Sequence, residues 1–297
     1  MAMLPLAWRC QRLMAMVDPS ARRLGSLCSH VVAAGSTSGS RSGGATRTGS
    51  PTQLASEYHA AASRLLEQVC ADATTVLADV ARRAVRCLRA GGRVWANYLE
   101  GHMAELEIAD DREGNPQVFG PLAKPVQPSA QLFLDRGGAE PPFFAEIRSG
   151  DVLLTNTVNR TVQAQRDANG VFVIVFTSPY IDQPSAPRGR VLPNQDDLMP
   201  EDVASQVVDS YAPWDQGLVR VPERPDFPVL PSSSSQTAAI HWMLSAEAAH
   251  ALATGTEPDG RAAQRWAEVL RQRLRALPAQ LEGIRAVGAT IAERLIG

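Results

Sequence analysis

From Pro51 onward the apolar residues follow two different rhythms. Leu54, Tyr58, Ala61, Leu65, Leu66, Val69 and Ala73 recur at three- and four-residue steps, and Val76, Leu77, Val80, Ala84 and Leu88 continue the stripe. That spacing predicts amphipathic helix. Gly91-Gly92 ends it, since glycine accepts the left-handed conformation that closes a helix. Short strand segments built on apolar runs follow, at 93–97, 152–156, 171–176 and 206–209, with weaker apolar runs at 117–119, 131–134 and 143–147. Helix-compatible segments at 103–109 and 162–169 lie between them. The Pro-rich stretch 221–231 reads as a loop. The serine run Ser232 to Ser235, with Gln236 and Thr237, reads as the cap of a helix over 238–254 that Gly255 closes. Arginine-rich helices over 259–276 and 279–296, parted by Pro278, complete the chain.

Strands that alternate with helices, and that lack polar–apolar alternation of their own, indicate a parallel sheet covered on both faces. The expected fold is a three-layer α/β/α sandwich around a central parallel sheet, with a long helical region before it and helices after it. No internal repeat is present.

The chain of 297 residues is long enough to bury a substantial core, placed here in one domain over 51–297. Residues 1–50 read as a disordered or targeting segment. From Gly35 to Pro51 the chain is almost wholly Gly, Ser, Thr, Ala and Arg, a composition that does not offset the entropy of ordering. Arg22-Arg23-Leu24-Gly25-Ser26-Leu27 and the mildly apolar stretch up to Ala34 resemble a degenerate twin-arginine export signal. Ser29 and His30 interrupt its apolar part, so a cytoplasmic location is favoured and export is the alternative. No apolar run is long enough for a transmembrane helix.

Charge is nearly balanced, 29 Lys+Arg against 31 Asp+Glu, which disfavours nucleic-acid binding. Arginines cluster at Arg82, Arg83, Arg86 and Arg89 and again at Arg265, Arg271, Arg273 and Arg275, with the spacing of solvated helix faces. Cys10, Cys28, Cys70 and Cys87 form neither metal-ligand pairs nor a disulfide framework, and Cys70 and Cys87 read as small apolar helix residues. His59, His102, His241 and His250 form no local metal motif, so neither metal nor cofactor is expected.

The most informative stretch runs from Gly150 through Thr161, where an apolar strand gives way to Thr155-Asn156-Thr157-Val158-Asn159 ahead of a helix and a second strand that ends in Thr177-Ser178. Polar groups thus stand at the carboxyl ends of both strands, where open parallel sheets bind ligands. A helix N-terminus beside them offers unpaired N–H groups to an anion. Thr155, Asn156, Thr157, Asn159, Thr177 and Ser178 are the candidate binding residues. The competing reading is that these residues only cap the helix and close the turn.

Four segments in order resemble the sugar isomerase (SIS) domain family, in its phosphosugar-binding bacterial branch with an N-terminal helical extension. Gly91-Gly92-Arg93-Val94-Trp95 is similar to the family's entry to the first strand, and Glu100-Gly101-His102-Met103 stands at its glycine-rich first turn. Gly150-Asp151-Val152-Leu153-Leu154-Thr155-Asn156-Thr157 resembles the serine-rich phosphate loop. Val207-Val208-Asp209-Ser210-Tyr211-Ala212-Pro213-Trp214-Asp215 resembles a later segment of that branch. Together they span roughly 52–255. Tyr98-Leu99-Glu100 replaces the small first-loop residues, Val158 stands where the loop has glycine, and Thr155 and Thr157 replace serines, so the chain resembles a diverged member. A loop needing positive φ at Val158 would strain this β-branched residue.

The resemblance implies a Rossmann-like fold that binds a phosphorylated sugar or related small anion. It also leaves two alternatives: an aldose–ketose sugar-phosphate isomerase, and a degenerate fold serving as a structural or interaction protein. Isomerisation needs a base to carry a proton between adjacent carbons, and Glu100, His102 and Glu105 near the first strand's end are the candidates. Glutamates in a first helical turn are also favoured by the helix dipole alone. His241 and Glu247 form a second pair that the resemblance places near a subunit boundary, although helical spacing favours core and surface roles for them. No Gly-x-Ser-x-Gly elbow supports a Ser-His-Asp hydrolase, and Gly91-Gly92 precede their strand, against the dinucleotide fingerprint. The apolar stripes of 54–88 and of Leu281, Ile284, Val287, Ile291 and Leu295 point to a homodimer or higher homo-oligomer.

Overall fold

The computed structural model describes residues 51–98, 115–116, 118–119, 142–177, 198–213, 217–221 and 224–296. The leading segment 1–50 and the expected elements at 103–109 and 131–134 lie outside the described residues. The first helical stripe divides in two: α1 (Pro51–Ala71) and α2 (Val76–Arg89) flank a 3-10 turn at Asp72–Thr74. Its Leu66, Val69, Leu77 and Val80 are buried, so this stripe packs within the chain. Gly91 has φ of 80°, the left-handed conformation expected at the helix end.

Four strands form a parallel sheet in the order β1 (Val94–Asn97), β2 (Val152–Thr155), β3 (Phe172–Phe176) and β4 (Gln206–Val208). Helix α3 (Arg160–Asp167) joins β2 to β3, and the short α4 (Pro200–Val203) precedes β4. The register pairs Asn97 with Thr155 and Phe176 with Val208. The carboxyl ends of all four strands therefore line one edge.

Alternate strand residues enter two separate cores, as the two-residue period of a strand requires. Val94, Ala96, Val152, Leu154, Ile174 and Phe176 face α1, α2 and the two helices α5 (Ser233–Thr254) and α6 (Arg261–Ala276). Trp95, Leu153, Val173 and Val175 face Phe144, Ile147, Val162 of α3 and Val203 of α4. Apolar residues on both faces account for the unbroken runs in the sequence. The architecture is mixed α/β, with helices on both sides of a parallel sheet.

Three expectations are corrected. The Pro-rich stretch 221–231 is not a loop: β5 (Gly217–Val221) and β6 (Arg224–Pro231) pair as an antiparallel ladder. Both strands of a two-stranded ladder are edges, where a proline's missing N–H can face outward. Residues 143–147 fall largely in a 3-10 helix at Pro142–Glu146. Helix α5 starts at Ser233, five residues before the expected 238, and Ser232 makes no side-chain cap bond. Burial of Ser233, Gln236 and Thr237 in its first turns shows packing overriding the weak helix propensity of serine.

The arginine clusters are not uniformly solvated either. Arg82 donates to Pro258 O at 2.9 Å, Arg89 donates to Ala251 O and Thr256 O, and Arg271 pairs with Glu67 at 2.6 Å. These long side chains tie α1 and α2 to α5, α6 and the loop between them. Beyond a 3-10 link at Leu277–Gln280 lies α7 (Leu281–Ile296), whose Ile284, Val287 and Ile291 are exposed.

Candidate ligand site at the carboxyl edge

Strand β2 ends at Thr155, whose side chain is fully buried. Its Oγ1 accepts the Thr157 N–H at 3.0 Å, a local bond that closes the turn. Asn159 then caps α3, its Oδ1 accepting the Val162 N–H at 2.9 Å. The turn-and-cap chemistry expected of these residues is therefore present at Thr155 and Asn159. Thr157 is buried, and Asn156 lies half-buried between the two threonines. Val158 packs into the α3-side core, and the non-glycine residues with positive φ among those described are Tyr211 and Leu230. The loop thus accommodates Val158 without left-handed strain.

Thr177, one residue past β3, donates its N–H to Val208 O at 3.0 Å and accepts from the Ser210 N–H, so it stands beside the end of β4. The binding candidates Thr155, Asn156, Thr157 and Thr177 share the carboxyl edge. Ser178 and the catalytic candidates Glu100, His102 and Glu105 lie outside the described residues, as does Trp214.

Helix α5 brings a second set of polar groups to this edge. Tyr98, just past β1, meets His241 of α5 through its hydroxyl and Nδ1 at 3.0 Å, and its ring stacks on Phe176 at the end of β3. At the other end of the helix, Arg89 ahead of β1 holds Ala251 O. Helix α5 therefore runs opposite to the strands. Ser233 precedes His241 by eight residues, so the start of α5 overhangs the strand ends by about 12 Å at helical rise.

That overhang carries buried polar side chains: Ser232, Ser233, Gln236 and Thr237. Gln236 Nε2 donates to Ser232 Oγ at 3.1 Å, while Gln236 Oε1 has no hydrogen-bond partner among the described residues. A buried carbonyl left in that state costs about 1–3 kcal/mol. The serine run signalled this helix start in the sequence, whereas nothing local singled out Gln236.

The second pair of candidates, His241 and Glu247, does not converge on one site. His241 is enclosed by Tyr98, Phe119 and Trp242, and burial lowers its pKa from 6.5 to about 4, so it stays neutral. Burial likewise raises the Tyr98 phenol. Glu247 is also buried, but it serves the backbone of residues 259–263.

A further cluster flanks β4. Tyr211, in the left-handed conformation at φ 56°, donates its hydroxyl to Asp72 Oδ2 at 3.0 Å and its N–H to Asp209 Oδ1 at 2.6 Å. Burial raises both carboxyl pKa values and, with the bond to Asp72, pushes the Tyr211 phenol up to about 12. Residues 139 positions apart meet here, which no local pattern could reveal.

No protein-family model and no curated protein sequence matches the chain.

Proposed function

We propose that the chain is a diverged SIS-type protein that binds a phosphorylated sugar or a closely related carbohydrate anion at the carboxyl edge of its sheet. The observation that carries this reading is the buried, unpartnered Gln236 Oε1 at the overhanging start of α5. A sugar hydroxyl is a donor of the right chemistry for it. Threonine hydroxyls at Thr155, Thr157 and Thr177 stand at the strand ends of the same edge. An acceptor for a sugar hydroxyl, with hydroxyl groups at the same edge of the sheet, suits a carbohydrate derivative.

Calorimetry against a panel of hexose and heptulose phosphates tests the reading. Saturable binding of at least one member is expected, and Gln236→Met should weaken it at least tenfold. Thermal stability should hold or rise in that variant, because an apolar side chain of similar length leaves no unpaired acceptor. Heat-silent titrations with every member, or binding equal in the variant, would reject the assignment.

A scaffold role is the second reading, and Tyr98 favours it. Where the resemblance calls for a small residue, Tyr98 is buried and bonded to His241 within the core. A chain with no sugar-phosphate affinity but a defined assembly would fit that role.

Both readings include a homodimer or higher homo-oligomer. The exposed stripe of Ile284, Val287 and Ile291 lies on a helix that is exposed along most of its length, and closed symmetric pairing is the commonest way to cover such a surface. Light scattering should give a mass of at least twice the 31.9 kDa of one chain, reduced to one chain by Ile284→Glu with Ile291→Glu. A wild-type mass of one chain would contradict it.

A further inference from the structure

At the opposite, amino edge of the sheet, a groove of about 500 Å³ opens between the two helical layers. Arg83 and Arg86 of α2 reach it from one side and Arg166 of α3 from the other. Its floor is the start of β2 and β3, with Gly150 and Gly170 at the turns that lead into them. Both glycines hold left-handed φ values, 88° and 66°, and the space beside Gly150 where a Cβ would stand is empty. A Cβ at Gly170 would instead lie 2.9 Å from Ser149 Oγ, so only the Gly150 side of the groove is open.

The charge of the walls is one-sided. None of the described lining residues is acidic. Arg86 meets Glu257 only at 3.7 Å, with both side chains more than half exposed, and Glu257 is not a wall residue. Arg166 is held in place by Asp167 and by the carbonyls of Ala204 and Glu201. Arg83 has no carboxylate partner among the described residues, and its guanidinium lies 4.1 Å over the Phe172 ring. That ring orients the cation without neutralising it. Planar guanidinium forks held this way match phosphate oxygens. The volume falls within the range of small-molecule sites.

We infer that this groove is a second binding site, separate from the carboxyl edge, for a phosphate-bearing small molecule with two or more negative charges. Arg83 and Arg86 contact the phosphates, and Phe172 positions Arg83. The shared chemistry is a diphosphate, whether free or carried on a nucleoside.

Calorimetry on the full chain at low ionic strength, with inorganic pyrophosphate and ADP in separate titrations, tests this site. Saturable one-to-one binding is expected, at least tenfold weaker in Arg83→Gln/Arg86→Gln and weaker with added salt. Both arginines are exposed, and circular dichroism of the double variant should match the wild type. Phe172→Leu keeps every charge and should give an intermediate loss, which a purely diffuse charge effect would not. Gln236→Met should leave these titrations unchanged, so the two edges are read independently. Equal affinities assign the groove to free diphosphate, and at least tenfold tighter ADP assigns it to a nucleotide. Absence of saturable heat with both probes, or binding that survives in the double arginine variant, overturns the proposal.

Discussion

The carboxylate of Glu247 accepts the backbone N–H of Gly260 at 2.8 Å, and the same side chain sets where α6 begins. Its two oxygens also take the N–H groups of Asp259, Ala262 and Ala263 at 2.8–3.0 Å. A buried negative charge thus satisfies the donors that a helix start leaves bare. Gly260 makes the arrangement possible, with φ of 86° and a Cβ position only 2.5 Å from Ala73 O. Glu247→Gln turns an N–H₂ group toward two backbone donors and should cost about 3 kcal/mol or more, since bonds to a charged acceptor contribute about 1.5–3 kcal/mol each. Urea unfolding measures it, and a loss under about 1 kcal/mol would contradict this role.

Asp151 does the corresponding work at the amino edge. One oxygen accepts the Arg93 N–H at 2.8 Å, and the other accepts the Trp95 indole N–H at 2.9 Å and the Arg148 N–H at 3.0 Å. All three partners are donors, so Asp151→Asn must oppose donor to donor in either orientation. A loss of about 1.5–3 kcal/mol is expected. Near-ultraviolet circular dichroism should report a changed Trp95 environment alongside it, and an unchanged unfolding midpoint would count against the account.

His241 gives the fold an acid-side slope. Its folded pKa of about 4 lies below the ordinary 6.5, so the unfolded chain takes up a proton first as pH falls. Stability is therefore full above about pH 6.5 and is lost between there and about pH 4, by up to about 3 kcal/mol. Asp72 and Asp209 act with the opposite sign. Burial raises their carboxyl pKa values, so they favour the folded form as pH falls toward the ordinary 3.8. Between pH 7 and pH 5 the histidine should dominate. Unfolding free energies at those two values should diverge in the wild type and converge in His241→Gln. Equal slopes in the two proteins would remove His241 as the cause.

The strands were legible in the sequence because both of their faces are buried, and Leu153 and Leu154, side by side, enter different cores. Turn chemistry was legible for a local reason: Asn159 caps the helix that follows it by accepting an N–H three residues away. The β5–β6 ladder was hidden by its prolines, since a proline argues against a strand unless the edge status of that strand is known. The start of α5 was hidden because tertiary burial of Ser233 and Thr237 decided it. At the carboxyl edge, Thr155 and Thr177 stand out as hydroxyls at strand ends. Gln236 does not, because its significance lies in a missing partner, and that is a property of the packed chain alone.

The central claim is ligand binding at the carboxyl edge, and a crystal structure grown with the tightest-binding sugar phosphate of the panel tests it most directly. The phosphate is expected within hydrogen-bond reach of the turn at Thr155, Asn156 and Thr157, with a sugar hydroxyl donating to Gln236 Oε1. A phosphate held by Arg83 and Arg86 at the opposite edge, with Gln236 Oε1 still unpartnered, would contradict it.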